Sequence, residues 1–311
     1  MAIFDSRLND YFQGITWLIL ISLAVFLNLV VILRHWRDRS KMAPLLILLI
    51  AACDTLKSVS KLYSVVVVLS PDQWDKDTSS DAAPDKATPT LLCTACSAMF
   101  VLFFRASLFA QLFLNIHRVR ILRRPTVEGT VTHWSMIAGL VFVSLILLVS
   151  TILLYTKSDL AWSPVAQIAW PKQEDKPYWH ALFIILGSDS GIAVVGIIIT
   201  TAMIIRRIES HVTNSTVHNS DKIRRSAVTV MLLTTNTLLL YVTWFVTSLA
   251  VKVMTESGED EERKLVTRKK LWKVYILWLP SLLNSVLTPL ILIVRNNISV
   301  KVILASKKQS V

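Results

Sequence analysis

The amino-acid sequence predicts an all-α membrane protein: a seven-transmembrane helix bundle with its N-terminus extracellular. Three observations lead there. Hydrophobic residues make up 53% of the 311, charged residues only 17%, glycine occurs seven times and the mean hydropathy is +0.55, whereas a soluble domain of this size carries more charge and more glycine. The apolar residues come in long blocks rather than amphipathic stripes, each long enough to supply the roughly 20 helical residues that cross a bilayer. Lipid offers the backbone no hydrogen bonds, so only helices or closed barrels span it, and these blocks are too long for barrel strands.

Taken in order, the spans are predicted at 11–34, 43–69, 91–119, 132–156, 178–206, 223–252 and 271–295, between a short extracellular N-terminus (1–10) and a short cytoplasmic tail (296–311). The first block is too long for a cleaved signal peptide and lacks a small-residue cleavage site, so it is expected to remain as the first helix. The fifth is the most interrupted, by Gly187, Asp189, Gly191 and Gly196. The 70–90 loop, rich in aspartate and proline, and the 253–270 loop, with an acidic run at Glu259 to Glu262 followed by Arg268 to Lys270, read as polar surface segments. No internal repeat or inverted pair of broken helices appears, which argues against many transporter folds.

Orientation follows from early positive charge. The first connecting loop holds Arg34, Arg37, Arg39 and Lys41, against Arg7 alone in the N-terminal tail; basic loops stay cytoplasmic, so the N-terminus lies outside. The formal net charge of +12 sits in short loops between apolar blocks, where it serves topology and attraction to anionic lipid heads rather than nucleic acid. The three cysteines, Cys53, Cys93 and Cys96, show neither a zinc-binding spacing nor a secreted disulfide framework. A multi-pass protein of the plasma membrane is expected.

Polar residues within the spans point to sites. Asp54 lies in the middle of the second span, where a carboxylate costs a few kcal/mol or more unless partners solvate it. Asn28, Ser107, Asn284 and Ser285 lie at compatible depths in spans one, three and seven and could surround it, either as a plain hydrogen-bond network fixing helix packing or around a water or small cation. Lys57 and Lys61, one turn apart, share a face of the same span. Arg105 stands 13 residues before Arg118, about 20 Å along a helix. Asp189 is at a similar height above Arg206, so an Arg105–Asp189 pair is expected. Internal pairing with lysines reaching the interface explains these charges; a pocket with surplus positive charge for a ligand bearing a carboxylate or similar acid explains them as well.

With these residues in place, the chain resembles the rhodopsin-like (class A) G-protein-coupled receptors, as a divergent member, over the whole bundle. Asn28 matches the family's first-helix asparagine, and Ile50-Ala51-Ala52-Cys53-Asp54 looks like its Leu-Ala-x-x-Asp. Cys93 precedes Arg118 by 25 residues, the family's interval between the outer cysteine and the arginine of Asp-Arg-Tyr, which stands here as His117-Arg118-Val119; Pro125 follows seven residues later. Most specific is Leu283-Asn284-Ser285-Val286-Leu287-Thr288-Pro289-Leu290-Ile291-Leu292, then Arg295-Asn296, which is similar to Leu-Asn-Ser-x-Leu-Asn-Pro-x-x-Tyr and its following basic residue.

The resemblance implies a receptor that binds an extracellular ligand between the outer halves of its helices and activates a heterotrimeric G protein by a shift of conformational population. It implies that Arg118 contacts the G protein and that Lys222, Arg224 and Arg225 border that cavity. It further implies that Asp54, Ser107, Asn284 and Ser285, with Asn28 in the network, form an allosteric sodium site; no other cofactor is expected. Lys57, Lys61, Phe100, Arg105, Asp189 and Tyr241 are the candidates for the ligand pocket.

The departures carry physics. His117 replaces the acidic residue before the arginine and cannot hold Arg118 in an ion pair, so raised basal signalling is expected. Thr288 and Leu292 stand for the motif's asparagine and tyrosine, beside Pro289. Span six lacks Cys-Trp-x-Pro, and Tyr241 takes the tryptophan's place as a rotamer switch or as core packing. The second outer loop, 157–176, has no cysteine to pair with Cys93, which removes a usual tether, and Cys96 is poorly placed to substitute. The sequons at Asn214 and Asn297 fall on the cytoplasmic side and are expected to be unglycosylated.

The expected function is therefore a G-protein-coupled receptor for a peptide or small chemosensory ligand, with the lipid bilayer as its solvent. Phe100, where amine receptors of the family carry aspartate, argues against a biogenic amine. Two alternatives stay open: a receptor-like protein that binds ligand without G-protein coupling, motivated by the lost tyrosine and acid, and a transporter or channel, motivated by Lys57, Arg105 and Asp189 inside the membrane. An enzyme is not expected, for no metal set, activated nucleophile or phosphate-binding glycine loop appears.

Overall fold

The computed structural model describes residues 2–69, 91–123, 130–157, 160–163, 168–171, 177–212, 228–229, 231–239 and 282–294. These form α1 (Ala2–His35), a 3₁₀ turn (Trp36–Asp38), α2 (Met42–Ser60), α3 (Leu62–Leu69), α4 (Leu91–Arg123), α5 (Thr130–Lys157), α6 (Pro177–Val212), a helical piece α7 (231–239) and α8 (Leu282–Val294). Five helices are long and apolar enough to cross a membrane, at Gly14–Asp38, Met42–Val66, Leu91–Leu122, Trp134–Thr156 and Gly187–Ile208. The chain is a multi-pass helical membrane protein. Of the sixth and seventh predicted spans only 228–229, α7 and α8 fall within the described residues, and neither of the 70–90 and 253–270 loops does.

Exposure is inverted relative to a soluble protein, which is the physical signature of a bundle solvated by lipid. On α5, Val141, Phe142, Leu145, Ile146, Val149 and Ile152 face outward while Ser150 and Thr151 are buried. Water would penalise that apolar surface; hydrocarbon accepts it, and the polar groups turn inward because lipid cannot hydrogen-bond them.

Helix ends depart from the predicted spans in informative ways. α1 begins at Ala2, so most of the predicted N-terminal tail is helical; no proline or glycine stands between Ala2 and Gln13 to stop it. The second span is not one helix: α2 and α3 meet at a turn on Lys61, whose N–H reaches the Ser58 carbonyl. No proline causes this break. Ser58 Oγ donates to the Asp54 carbonyl and Ser60 Oγ to the Lys57 carbonyl, both at 2.7 Å, and such serine back-bonding competes with the helical ladder and bends it. The loop at 157–176 holds an antiparallel hairpin, β1 (Leu160–Ser163) with β2 (Ile168–Pro171), an addition to the all-α expectation. β2 lies against α4, and Cys93 and Cys96 are not joined to each other.

The most extensive helix interface is α2 on α4, with α1 on α2 and α4 on α6 next. Val31, Leu46, Ile50, Leu114 and Leu292 form the main apolar core, which draws α8 against α1, α2 and α4. The glycines of α6 differ in purpose. Gly187 and Gly191 have open space where a Cβ would stand, whereas a Cβ on Gly196 would meet Leu112 Cδ1 at 2.8 Å. Gly196 thus allows α6 to approach α4. Gly196→Val is expected to lower stability by about 1–3 kcal/mol through overpacking, and Gly191→Ala to change it little, as thermal denaturation of the detergent-solubilised protein would show.

Candidate functional site

The interior of the bundle holds a set of polar contacts built on one inward face of α4. Ser107, Gln111 and Asn115 follow at four-residue intervals, so they stack along one side of the helix. Each reaches a different neighbour: Ser107 Oγ donates to Asp54 Oδ1 at 3.0 Å, Thr237 Oγ1 to Gln111 Oε1 at 2.6 Å, and Asn115 Nδ2 to Thr201 Oγ1 at 3.3 Å, which in turn bonds Thr234 at 2.9 Å. One helix face thereby connects α2, α6 and α7. A cavity of about 10 Å³, the size of one water, lies between Gln111, Asn115, Thr234 and Thr288.

Asp54, fully buried, is the charged member. Its Oδ1 accepts from Ser107 and also from the Lys57 ammonium at 2.8 Å, and Lys57 is itself 1% exposed. The side chains of a helix lean toward its N-terminus, so a lysine three residues after an aspartate lies back over the carboxylate. Asp54 Oδ2 and Ser285 Oγ are buried without a hydrogen-bond partner.

The expected five-residue cluster is thus divided. Asn28 Nδ2 donates to the backbone carbonyls of Ala24 and Ser285, at 2.8 and 2.9 Å, and ties α1 to α8. Asn284 turns to α7, where its Oδ1 accepts from Asn236 Nδ2 at 2.8 Å and from Thr288 Oγ1 at 3.1 Å. Asp54 and Ser107 pair with each other and with Lys57. A sodium ion at Asp54 would share its carboxylate with an ammonium; two unit charges about 4 Å apart repel by roughly 4 kcal/mol at an effective dielectric of about 20. The residues present do not fit a sodium ion while Lys57 holds that position.

The described ligand-pocket candidates fall into two groups, Lys57, Lys61 and Phe100 linked through Phe104, and Arg105 with Asp189. Lys57 belongs to Asp54, with its ammonium 5.8 Å from the Phe104 ring centre. Lys61, 3% exposed, is covered by Phe100 and Trp17, with ring centres at 4.4 and 5.8 Å from its Nζ; aromatic faces attract a cation when water is excluded. Phe100 stacks with Phe104. Arg105 forms the expected ion pair with Asp189, through Nη2 to Oδ2 and Nε to Oδ1. It also donates to Thr151 Oγ1 at 3.1 Å and Ser150 Oγ at 3.0 Å, so the guanidinium joins α4, α5 and α6.

Toward the other end of α4, His117 and Arg118 are partly buried, and Val119 packs on Ile204 and Ile208 of α6. Pro289 is buried in α8, and Leu292 lies in the main apolar core. Tyr241, Lys222, Arg224 and Arg225 lie outside the described residues. Gln111, Asn115, Thr201, Thr234, Asn236 and Thr237 were not anticipated. The four-residue spacing of Ser107, Gln111 and Asn115 was the available signal for α4; nothing local marks the threonines, which are common in membrane helices. The chain matches no protein-family model and no characterised sequence.

Proposed function

We propose that this chain is a divergent rhodopsin-like receptor with seven spans and its N-terminus outside the cell, residing in the plasma membrane, that binds an extracellular peptide or small chemosensory ligand and activates a heterotrimeric G protein. The observation that carries the reading is the Ser107–Asp54 contact at 3.0 Å, beside the Asn28 link from α1 to α8. The two contacts are separate, and their residues stand at positions that the resemblance assigns to a rearranging centre. Polar groups that trade partners at low cost allow two packings of one bundle to lie close in energy, and a ligand preferring one packing shifts the population.

Ligand entry from the outer side would meet the Lys61–Phe100–Trp17 group first, and a buried ammonium among aromatic rings suits a ligand bearing a carboxylate or similar acid. Screening peptides and organic acids on cells expressing the chain with a promiscuous G-protein reporter is expected to yield an agonist whose signal Arg118→Ala abolishes and whose potency Lys61→Ala lowers at least tenfold. Because His117 cannot pair with Arg118, agonist-free signalling is expected above that of mock-transfected cells. A reporter silent both at rest and across the screen would exclude coupling.

A second reading, a ligand-binding protein that does not couple, is favoured by Leu292. An aliphatic side chain locked in the apolar core cannot make the hydrogen bonds a tyrosine would offer there. Direct ligand binding without nucleotide exchange on any reconstituted G protein would select it.

A further inference from the structure

We propose that the turn between α1 and α2 binds one anionic phospholipid, with its phosphate on Arg39 and its chains along the Leu29–Leu33 face of α1 that leads to Trp36. The inference rests on the chain lying in lipid and holds whether or not the bundle couples to a G protein.

Three observations meet at this turn. Leu29, Leu33 and Trp36 follow at four- and three-residue steps, so they share one side of the helix, and they are 46%, 75% and 55% exposed. The lipid-facing stripe therefore ends on a tryptophan, a residue that settles at headgroup depth. A cation is held at the same point, for the Arg39 guanidinium lies 4.7 Å from the Trp36 ring centre. A guanidinium laid over a ring keeps its N–H donors along its edge, in the fork that matches phosphate oxygens. The third observation is charge. Arg34, Arg37, Arg39 and Lys41 share the segment with one acid, Asp38, which pairs with Lys41 at 3.7 Å. Among the described residues neither Arg37 nor Arg39 forms an ion pair.

The turn is also short and ordered. A 3₁₀ turn at Trp36–Asp38 leads to Lys41, whose N–H donates to the Asp38 carbonyl at 3.0 Å. Its basic groups are gathered before a lipid arrives, which lowers the ordering cost of binding. General attraction of basic loops to an anionic surface needs no such arrangement. An arginine seated on a tryptophan at the end of an apolar stripe offers a phosphate site and a face for the chains together.

To test this, the full chain is purified in detergent and given phosphatidylserine with an excess of phosphatidylcholine. The lipids that stay bound are then counted by native mass spectrometry. The wild type is expected to retain one phosphatidylserine in preference to phosphatidylcholine. Arg39→Gln is expected to weaken that retention about fivefold. Trp36→Leu, which changes no charge, is expected to weaken it about two- to fivefold by unseating Arg39; an attraction that reads charge alone would not respond to it. Arg206→Gln, which removes an exposed charge from α6, is expected to leave retention unchanged. Glycerophosphoserine, the same headgroup without chains, is expected not to displace the lipid at equal concentration, and displacement would overturn the lipid as occupant. Equal losses in Arg39→Gln and Arg206→Gln, or full retention by Trp36→Leu, would overturn the site. A wild type that keeps phosphatidylcholine as well as phosphatidylserine overturns it outright.

Discussion

Arg105→Ala is expected to destabilise the folded bundle by roughly 2–4 kcal/mol, because it strands a part-buried carboxylate. Arg105 is 2% exposed and Asp189 15% exposed, so solvation compensates only partly for the lost counter-ion. The hydroxyls that Arg105 also engages would suffer less. Ser150 Oγ and Thr151 Oγ1 both bond the Leu147 carbonyl already, at 3.1 and 2.7 Å, and keep that partner when the guanidinium goes. The loss therefore comes mainly from the charge on Asp189. Asp189→Ala is expected to cost a similar amount, by leaving the guanidinium with hydroxyl partners only. Arg105→Met with Asp189→Ala should recover much of the loss, since removing both charges removes the desolvation that each imposed. Thermal denaturation of the two single variants and the double variant in detergent forms the cycle. Losses that simply add would show that the two side chains do not act as a pair.

The second large effect is expected at Asp54→Asn. The substitution keeps shape and removes charge, and it leaves the Lys57 ammonium buried at 1% exposure with the Phe104 ring 5.8 Å away. Cation–π attraction is worth about 0.5–2 kcal/mol, too little to offset the desolvation of an ammonium, so a loss of roughly 3–5 kcal/mol is expected. Lys57→Met combined with Asp54→Asn should lie closer to the wild type than Asp54→Asn alone. The same denaturation measurement checks the order. If Asp54→Asn were as stable as the wild type, the ion pair would not be the means by which α2 keeps a charge inside the bundle.

Some of the site was legible from single residues. A charge in the middle of an apolar block has to be solvated by other helices, so Asp54, Arg105 and Asp189 declared themselves, and matching depths were enough to pair Arg105 with Asp189. Lys57 shows what spacing alone leaves open. Spacing placed it on the same face as Lys61, which suggested one basic pocket, but side chains lean toward the helix N-terminus and carry Lys57 down to Asp54, while the turn at Lys61 sets that lysine among aromatic rings. Neither the break in the second span nor the turning of Asn284 toward Asn236 follows from local pattern. Serine and asparagine have several partners within reach, and packing selects among them.

Amino-acid order by itself determined that this chain carries helices apolar enough to cross lipid and which few charges they hold, because the cost of apolar surface in water and of charge in hydrocarbon is set residue by residue. Which charge neutralises which was decided only by the tertiary structure. Asp54 could have taken a diffusing cation or a neighbouring ammonium at similar depth, and the choice turns on ångström-scale reach between side chains. The 2.8 Å from Lys57 Nζ to Asp54 Oδ1 is such a reach: it exists only once the helix has formed and its neighbours have closed around it.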